Sequence, residues 1–381
     1  MALNHKIREY TESLSQQGLL RTRRVTDSAH ADLIQFDSND YLSLITDNRI
    51  AKAYQEGYTR HPTGNGGSMV LSGYHPNHQA VERSFAELLA VDDCILFSSG
   101  YAANLAVASL MGKIKVHCLI DKGIHASIYD GLILSQVQFT RYLHNDMVDL
   151  VRKLKNRDDE NVIMTEGIFS MSGQLAPLSS LSDLCDGERS VLLVDEAHSF
   201  GILGEQGRGA VAHHGLSQNE VPLRVIPFGK SFASQGALVA GKKEWINALL
   251  QAARSLIYST AISPAFSYGL LKTLDVVVLA DDRRRRLSQL IDYFRRQINS
   301  SPLHWSDSSS PIQQLQLGCP HLALHYVREL KKAGISCSPI RSPTVNIKQT
   351  GLRIILNFNH QEKHINKLFT TLDNIYDNTH H

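Results

Sequence analysis

No Cys-x-x-Cys pair occurs in this sequence, whose five cysteines, Cys94, Cys118, Cys185, Cys319 and Cys337, are odd in number and widely spread. That spacing excludes a disulfide framework and a cysteine-based zinc site, and it implies reduced thiols. Nor does charge of one sign dominate, since 39 Lys and Arg against 37 Asp and Glu leave a formal net charge of +2. A balance so close to neutral gives no global attraction to nucleic acid or to an anionic membrane. Long apolar runs are also missing: Lys272 and Asp275 interrupt the most hydrophobic region, and the amino-terminal residues show no signal-peptide core. With neither internal repeat nor low-complexity tract, the chain is expected to be an untargeted cytoplasmic globular protein that uses no metal.

What is present centres on two short apolar runs. Val191 to Val194 is followed at once by Asp195-Glu196-Ala197-His198, and Val225 to Phe228 ends in Gly229-Lys230-Ser231. Runs of this length, bounded by polar or glycine-rich turns, read as buried strands of a parallel sheet, and ligands of such sheets gather at the carboxyl ends of the strands. An acid, a histidine and a lysine are thereby expected at one sheet edge. A lysine amine becomes a nucleophile once burial strips its proton, and a carboxylate can keep a heteroaromatic cofactor nitrogen charged, so the trio points to pyridoxal phosphate. Asp195 to His198 also spells a helicase ATPase motif, and Gly229-Lys230-Ser231 the tail of a phosphate-binding loop. That loop needs a glycine at position 224, where the chain has Arg224, and the two motifs stand in the wrong order. Taken singly, Asp195 and His198 read as turn caps and Lys230 as a solvated side chain, and it is their combination with the motifs that follow that points to a site.

Around these runs a beat of strand and helix extends from Cys94 to Ala240. Strands are expected at Cys94 to Phe97, Val116 to Ile120, Val137 to Phe139, Val162 to Met164, Val191 to Val194, Val225 to Phe228 and Leu238 to Ala240. The pattern predicts an α/β fold, a seven-stranded and mostly parallel sheet with helices on both faces. Behind the first strand, Ser98-Ser99-Gly100-Tyr101-Ala102-Ala103-Asn104 opens a helix whose amino-terminal amides and dipole suit a phosphate. Asp121 to His125 and Thr165 to Ser170 follow two further strands, so the candidates share one geometric place. The glycine-rich stretch from Thr63 to Tyr74 is a loop whose backbone passes close to a neighbour. Helices are expected over Leu3 to Arg24, Asn77 to Leu89, Asn247 to Tyr258 and Ala265 to Ala280. The basic clusters Arg21 to Arg24 and Arg283 to Arg286 read first as solvated surface. Beyond Pro302 a small α+β domain is expected, giving an amino-terminal helical segment at 1–45, a large domain at 46–285 and a small one at 286–381.

Several stretches carry a family likeness: Ser38-Asn39-Asp40-Tyr41-Leu42, Ser98 to Asn104, Thr165 to Gly173, Val194 to Gly209, Ile257-Tyr258-Ser259-Thr260, Ser310-Pro311-Ile312-Gln313 and Ile340 to Val345. In these motifs the chain resembles the α-oxoamine synthases, pyridoxal phosphate enzymes of the aspartate-aminotransferase fold (fold type I). The resemblance runs from Arg21 to about Asn357 and favours the biotin-pathway member, which joins L-alanine to a pimeloyl thioester carried on acyl carrier protein or coenzyme A. Sister activities that use glycine or serine stay open as alternatives. By this resemblance Lys230 would carry the cofactor, Asp195 would pair with its ring nitrogen, His198 would hold its ring oxygen and His125 would stack on its face. Gly100 and Tyr101 would meet its phosphate, and Ser170 would lie beside the ring. Arg353 would take the amino acid carboxylate, while Arg21, Asn39 and Thr344 match substrate-contacting positions. The family works as a homodimer with the active site at the subunit interface, which implies that Ser259 and Thr260 reach a partner's cofactor. One position departs: Pro227 stands where relatives place a threonine or serine hydroxyl for the phosphate. Proline offers neither hydroxyl nor amide donor, which implies a weaker phosphate grip and leaves room for a catalytically weak relative.

Overall fold

The alternation of apolar strands and helices builds a seven-stranded sheet in the computed structural model, which describes residues 2–23, 33–155, 157, 159–187 and 189–380. Its strands are β1 (Asp93–Phe97), β2 (His117–Asp121), β3 (Phe139–Tyr142), β4 (Asn161–Glu166), β5 (Ser190–Asp195), β6 (Leu223–Pro227) and β7 (Ala237–Gly241). They lie in the order β1-β7-β6-β5-β4-β2-β3. Neighbours are parallel except for β7, which runs antiparallel to both β6 and β1. The carboxyl ends of the other six strands therefore share one edge with the amino end of β7, and Ala237 pairs with both Pro227 and Phe97 there.

Both sheet faces are covered, which is why these strands read as continuous apolar runs. Ile95, Phe97, Leu223, Val225, Ala237 and Val239 pack into one core with the helix Gly100–Ile114. Alternate residues Cys94, Leu96, Ile226, Leu238 and Ala240 join a second core with the helices Pro76–Leu89 and Pro264–Val278. Each large apolar side chain so buried contributes about 1.5–3 kcal/mol. These residues belong to one unit, 40–170 with 175–285; residues 1–39, 171–174 and 286–381 form a second. In the second, Ile312–Gln316, Gly351–Ile355 and Ser338–Ile340 make a three-stranded antiparallel sheet with Gly351–Ile355 in the middle. The helices Pro320–Lys332 and Glu362–His380 belong to the same unit.

Some boundaries differ from the sequence pattern. The first helix is Ala2–Gln16 and stops well before Arg24, because the chain turns at Gly18 with φ +67°. The helix expected over Asn247 to Tyr258 is two, Lys243–Ala252 and Arg254–Ile257, broken at Ala253 where ψ reaches 75°. The third strand starts at Phe139, and Val137 instead packs in the core. The arginine run is a solvated face only in part: Arg285 and Arg286 are exposed, whereas Arg283 and Arg284 are half-buried. Arg283 donates to the carbonyls of Leu42 and Ser43 at 2.7 and 2.8 Å, and Arg284 to those of Val277 and Val278 at 2.7 Å each. Both guanidinium groups thereby satisfy carbonyls that would otherwise need water.

Among the described residues strand β1 pairs with β7 alone and forms a sheet edge, and a buried carboxyl covers its other side. Glu82, on the helix Pro76–Leu89, accepts the Leu96 N–H at 2.9 Å and the Tyr74 hydroxyl at 2.6 Å. Burial pushes this carboxyl from 4.5 up to about 7 against the pull of those two donors. A folded-state value above the unfolded one means that folding takes up a proton between the two, so the stability from Glu82 is complete below about pH 4.5 and lost by about pH 7. Glu82→Gln keeps one acceptor and removes the titration. The stability of the wild type relative to this variant, from urea unfolding, is expected to fall by on the order of 3 kcal/mol as the pH rises between those values. A difference that stays flat across that window would show that Glu82 is charged in the native state throughout.

Candidate active site

At the shared edge the strand ends surround a cavity of about 390 Å³ whose wall includes Asp195, His198, Lys230 and His125. Asp195 is the last residue of β5. Its Oδ2 accepts the Asn104 amide at 2.8 Å and its Oδ1 the backbone N–H of Ala197 at 2.9 Å. Burial pushes the Asp195 carboxyl up, while Asn104, the Ala197 N–H, His125 and Lys230 pull it down. Glu166, paired with Asp195 across β4 and β5, is driven well above the carboxylate range by complete burial and by the Asp195 charge. Of these two carboxyls Glu166 therefore holds the proton, and Asp195, with its donors, is the anion.

His198 follows three residues later, with its Nδ1 2.6 Å from the hydroxyl of the fully buried Tyr41. His125 caps the helix Ala126–Leu134: its Nδ1 accepts the Ser127 N–H at 3.2 Å and lies 2.7 Å from the Ser127 hydroxyl. Burial, with help from the Lys230 charge, lowers its pKa against the pull of Asp195 and Asp130, so the imidazole is neutral at pH 7. Lys230 sits on a closed turn between β6 and β7, where the N–H of Ala233 donates to its carbonyl and that of Ser234 to the Phe228 carbonyl. Sequence reading expected a buried lysine, but the side chain is half-buried, because the turn lifts it from the strand into the cavity.

The anion cradle also forms. Ser99 caps the helix Gly100–Ile114, its hydroxyl accepting the Ala102 N–H at 3.1 Å, and Ser99, Gly100 and Tyr101 line the cavity. A Cβ on Gly100 would sit 2.6 Å from Cγ of Pro227, so only glycine fits against this proline. The Tyr101 hydroxyl is engaged by Asp130 at 2.8 Å.

Other predicted residues lie elsewhere. Ser170 donates its N–H to Glu166 at 3.1 Å but does not line the cavity, and neither do Ser259 and Thr260. Arg21, Asn39, Thr344 and Arg353 belong to the second unit, where Arg353 donates to Oδ1 of Asn39 at 3.0 Å and the Thr344 N–H to the Arg341 carbonyl at 3.0 Å. Arg21 borders a cavity of about 620 Å³ in that unit, together with Lys331 and Arg341. Arg24 lies outside the described residues. No group of His, Cys, Asp and Glu able to hold a metal ion occurs among the described residues.

Sequence reading gave no role to Asn104, Tyr41 or Glu166. Asn104 had a signal, a lone buried amide on an otherwise apolar helix, and so had Glu166, an acid closing an apolar strand. Tyr41 had none beyond its motif, because its partner His198 is 157 residues away.

Comparison with known proteins agrees with this geometry. A family model, Aminotransferase class I and II, matches residues 31–372. A curated 8-amino-7-oxononanoate synthase from Pseudomonas syringae pv. syringae is 39% identical over 345 residues, covering 90% of this chain and 87% of the relative. The crystal structure of 8-amino-7-oxononanoate synthase from Francisella tularensis matches with a TM-score of 0.81 and 32% identity, over 92% of this chain and 99% of that one. A serine palmitoyltransferase from S. paucimobilis, solved with pyridoxal phosphate and myriocin bound, shares the fold at a TM-score of 0.86 and 24% identity, over 91% of this chain and 87% of that one. The chain therefore belongs to the class I and II aminotransferase family and, within it, to the 8-amino-7-oxononanoate synthases.

Proposed function

We propose that this chain is a pyridoxal-phosphate-dependent acyltransferase that condenses L-alanine with a pimeloyl thioester, releasing carbon dioxide and the thiol and giving 8-amino-7-oxononanoate for biotin synthesis. The observation that carries the reading is the convergence of Lys230, Asp195, His198 and His125 on one cavity in a member of this family. The donor set fits the cofactor. Lys230 offers an amine to an aldehyde, Asp195 an anion to a ring nitrogen, and the helix end at Gly100 and Tyr101 a cradle for a phosphate.

Pyridoxal phosphate, when bound, supplies the electron sink that lets a Cα–H bond and a carboxylate be broken. The chain's own residues do the rest. Asn104 and the Ala197 N–H fix both oxygens of Asp195, so that its negative charge needs no reorganisation to hold a proton on a ring nitrogen. Because Nδ1 of His198 is taken by Tyr41, its Nε2 is the atom for a phenolic oxygen. His125, neutral and held through Nδ1, offers a ring face for stacking. The Lys230 amine removes the Cα proton of alanine and returns one to the product carbon. Arg353 presents a guanidinium fork to the alanine carboxylate, with Asn39 on one of its nitrogens, and Arg21 and Thr344 serve the acyl substrate.

In this reading the enzyme is a cytoplasmic homodimer. The exposed side chains Val70, Leu71, Tyr74 and Tyr258 support a partner surface beside Ser259 and Thr260, which would complete the partner's site. No helix among the described residues is long and apolar enough to cross a membrane. Either coenzyme A or acyl carrier protein can carry the acyl group, since both are phosphorylated and the basic stretch at Arg21 suits either.

The direct test offers alanine, glycine or serine with a panel of acyl thioesters and identifies products by mass. 8-Amino-7-oxononanoate from alanine and pimeloyl thioester is expected, and a preferred glycine or serine product would reassign the chain to a sister activity. Lys230→Ala is expected to abolish turnover, and borohydride treatment of the loaded wild type should leave the cofactor on the peptide containing Lys230; label on any other lysine rejects the assignment. Asn104→Leu removes a hydrogen bond to a charged group, worth about 1.5–3 kcal/mol, and should slow exchange of the alanine Cα proton in deuterated water by about tenfold or more. Unchanged exchange would mean that Ala197 alone keeps Asp195 in place.

A further inference from the structure

The wall of the cavity facing the anion cradle carries a gap in side-chain donors. Pro227 closes β6 against Gly100 and has neither an N–H nor a hydroxyl to give. Two of the neighbouring hydroxyls are already engaged, Ser234 with the Tyr54 hydroxyl and Tyr101 with Asp130, while Ser99 accepts the Ala102 N–H and keeps its O–H on the cradle's own side. Asn104 spends its amide on Asp195 and Ser127. A phosphate dianion in this cradle would meet backbone amides and the helix dipole on one side and hydrocarbon on the other.

Two cavity-lining side chains have no such commitment. Ser98 and Gln235 are both exposed in the cavity wall and make no hydrogen bond to another described residue. The backbone brings them together, because Ser99 bridges Gly236 in parallel sense and each of the two residues directly precedes a bridged partner. Gly236, at φ +100°, turns the chain there, between Lys230 and the start of β7. Gln235 therefore stands on the same rim as Pro227 and the cradle, with two amide donors on a side chain long enough to reach across it.

We propose that the Gln235 carboxamide, with the Ser98 hydroxyl beside it, donates to the cofactor's phosphate and replaces the side-chain donor that position 227 lacks. The inference rests on the pyridoxal phosphate reading above and adds to it a phosphate-gripping pair. An uncharged amide suits the task, since it can hold a dianion without competing with Lys230 for it, and its exposure means that no existing bond has to be broken on binding.

The test is equilibrium binding to the purified apoprotein, followed by absorbance, with pyridoxal phosphate and with pyridoxal, which lacks the phosphate. Gln235→Ala is expected to raise the Kd for pyridoxal phosphate about tenfold or more, the loss of a hydrogen bond to a charged group, and to leave pyridoxal binding unchanged. Gln235→Glu, which keeps the size and adds a repelling charge, should weaken pyridoxal phosphate further, and Pro227→Thr placed in the Gln235→Ala background should recover part of the loss. Ser98→Ala should lose less than Gln235→Ala. A Kd for pyridoxal phosphate that Gln235→Ala leaves unchanged, or an equal loss for both compounds, overturns the inference while the functional reading stands. Wild-type protein that takes up neither compound overturns the functional reading and this inference with it.

Discussion

The site depends on a carboxylate kept ionised where burial works against it. Asp195 ends a central strand with 4% of its surface exposed, and an acid so placed without compensation would take up a proton. Hydrogen bonds from the Asn104 amide and the Ala197 N–H oppose that uptake, and the second carboxyl beside it, Glu166, is driven further up and takes the proton instead. Asn104 belongs to the helix whose first turn forms the anion cradle, so the electrostatics of the ring-nitrogen end and the phosphate end are set by one rigid element. Displacing that helix would disturb both at once.

The remaining letters of the acidic motif serve structure. Glu196 is fully buried and accepts the N–H groups of Ala210 and Val211 at 2.7 and 3.0 Å, closing the glycine-rich stretch before them. Its side chain occupies the space in which a Cβ on Gly209 would fall, 2.5 Å from Oε2, and Gly209 has φ +97°. The likeness to a nucleotide hydrolase is thus a coincidence of letters. In a hydrolase the second acid faces solvent and metal, whereas here it is an internal strut for backbone amides.

The large sheet was legible in the sequence because its strands are buried on both faces and flanked by turn residues, a pattern with little competition from helix at four to six residues. The convergence of Asp195, His198, Lys230 and His125 was legible for the same reason, each residue lying at the carboxyl end of a strand or in the turn just beyond it. What escaped was set by contacts distant in sequence. Tyr41 meets His198 across 157 residues, and Arg283 meets Leu42 across 241. No local periodicity encodes such pairs, and Arg283 and Arg284 read as solvent-facing, like Arg285 and Arg286 beside them, until their carbonyl partners are in view. The break at Ala253 was hidden as well, since every residue around it is a tolerable helix former. The half-burial of Lys230 follows from the height of its turn, which composition does not report.

The cavity wall is assembled from Ser98 to Tyr101, His125, Asp195, Ala197, His198 and Lys230, segments that span more than a hundred residues of chain. A molecule touching all of them ties those segments together as a cross-link would, closing loops that the unfolded chain leaves open. The cofactor is in this sense a tether for the core as well as a reagent. Its grip at the phosphate end feeds directly into the cohesion of four strands, so a cell short of the cofactor would hold a looser protein and not merely an idle one.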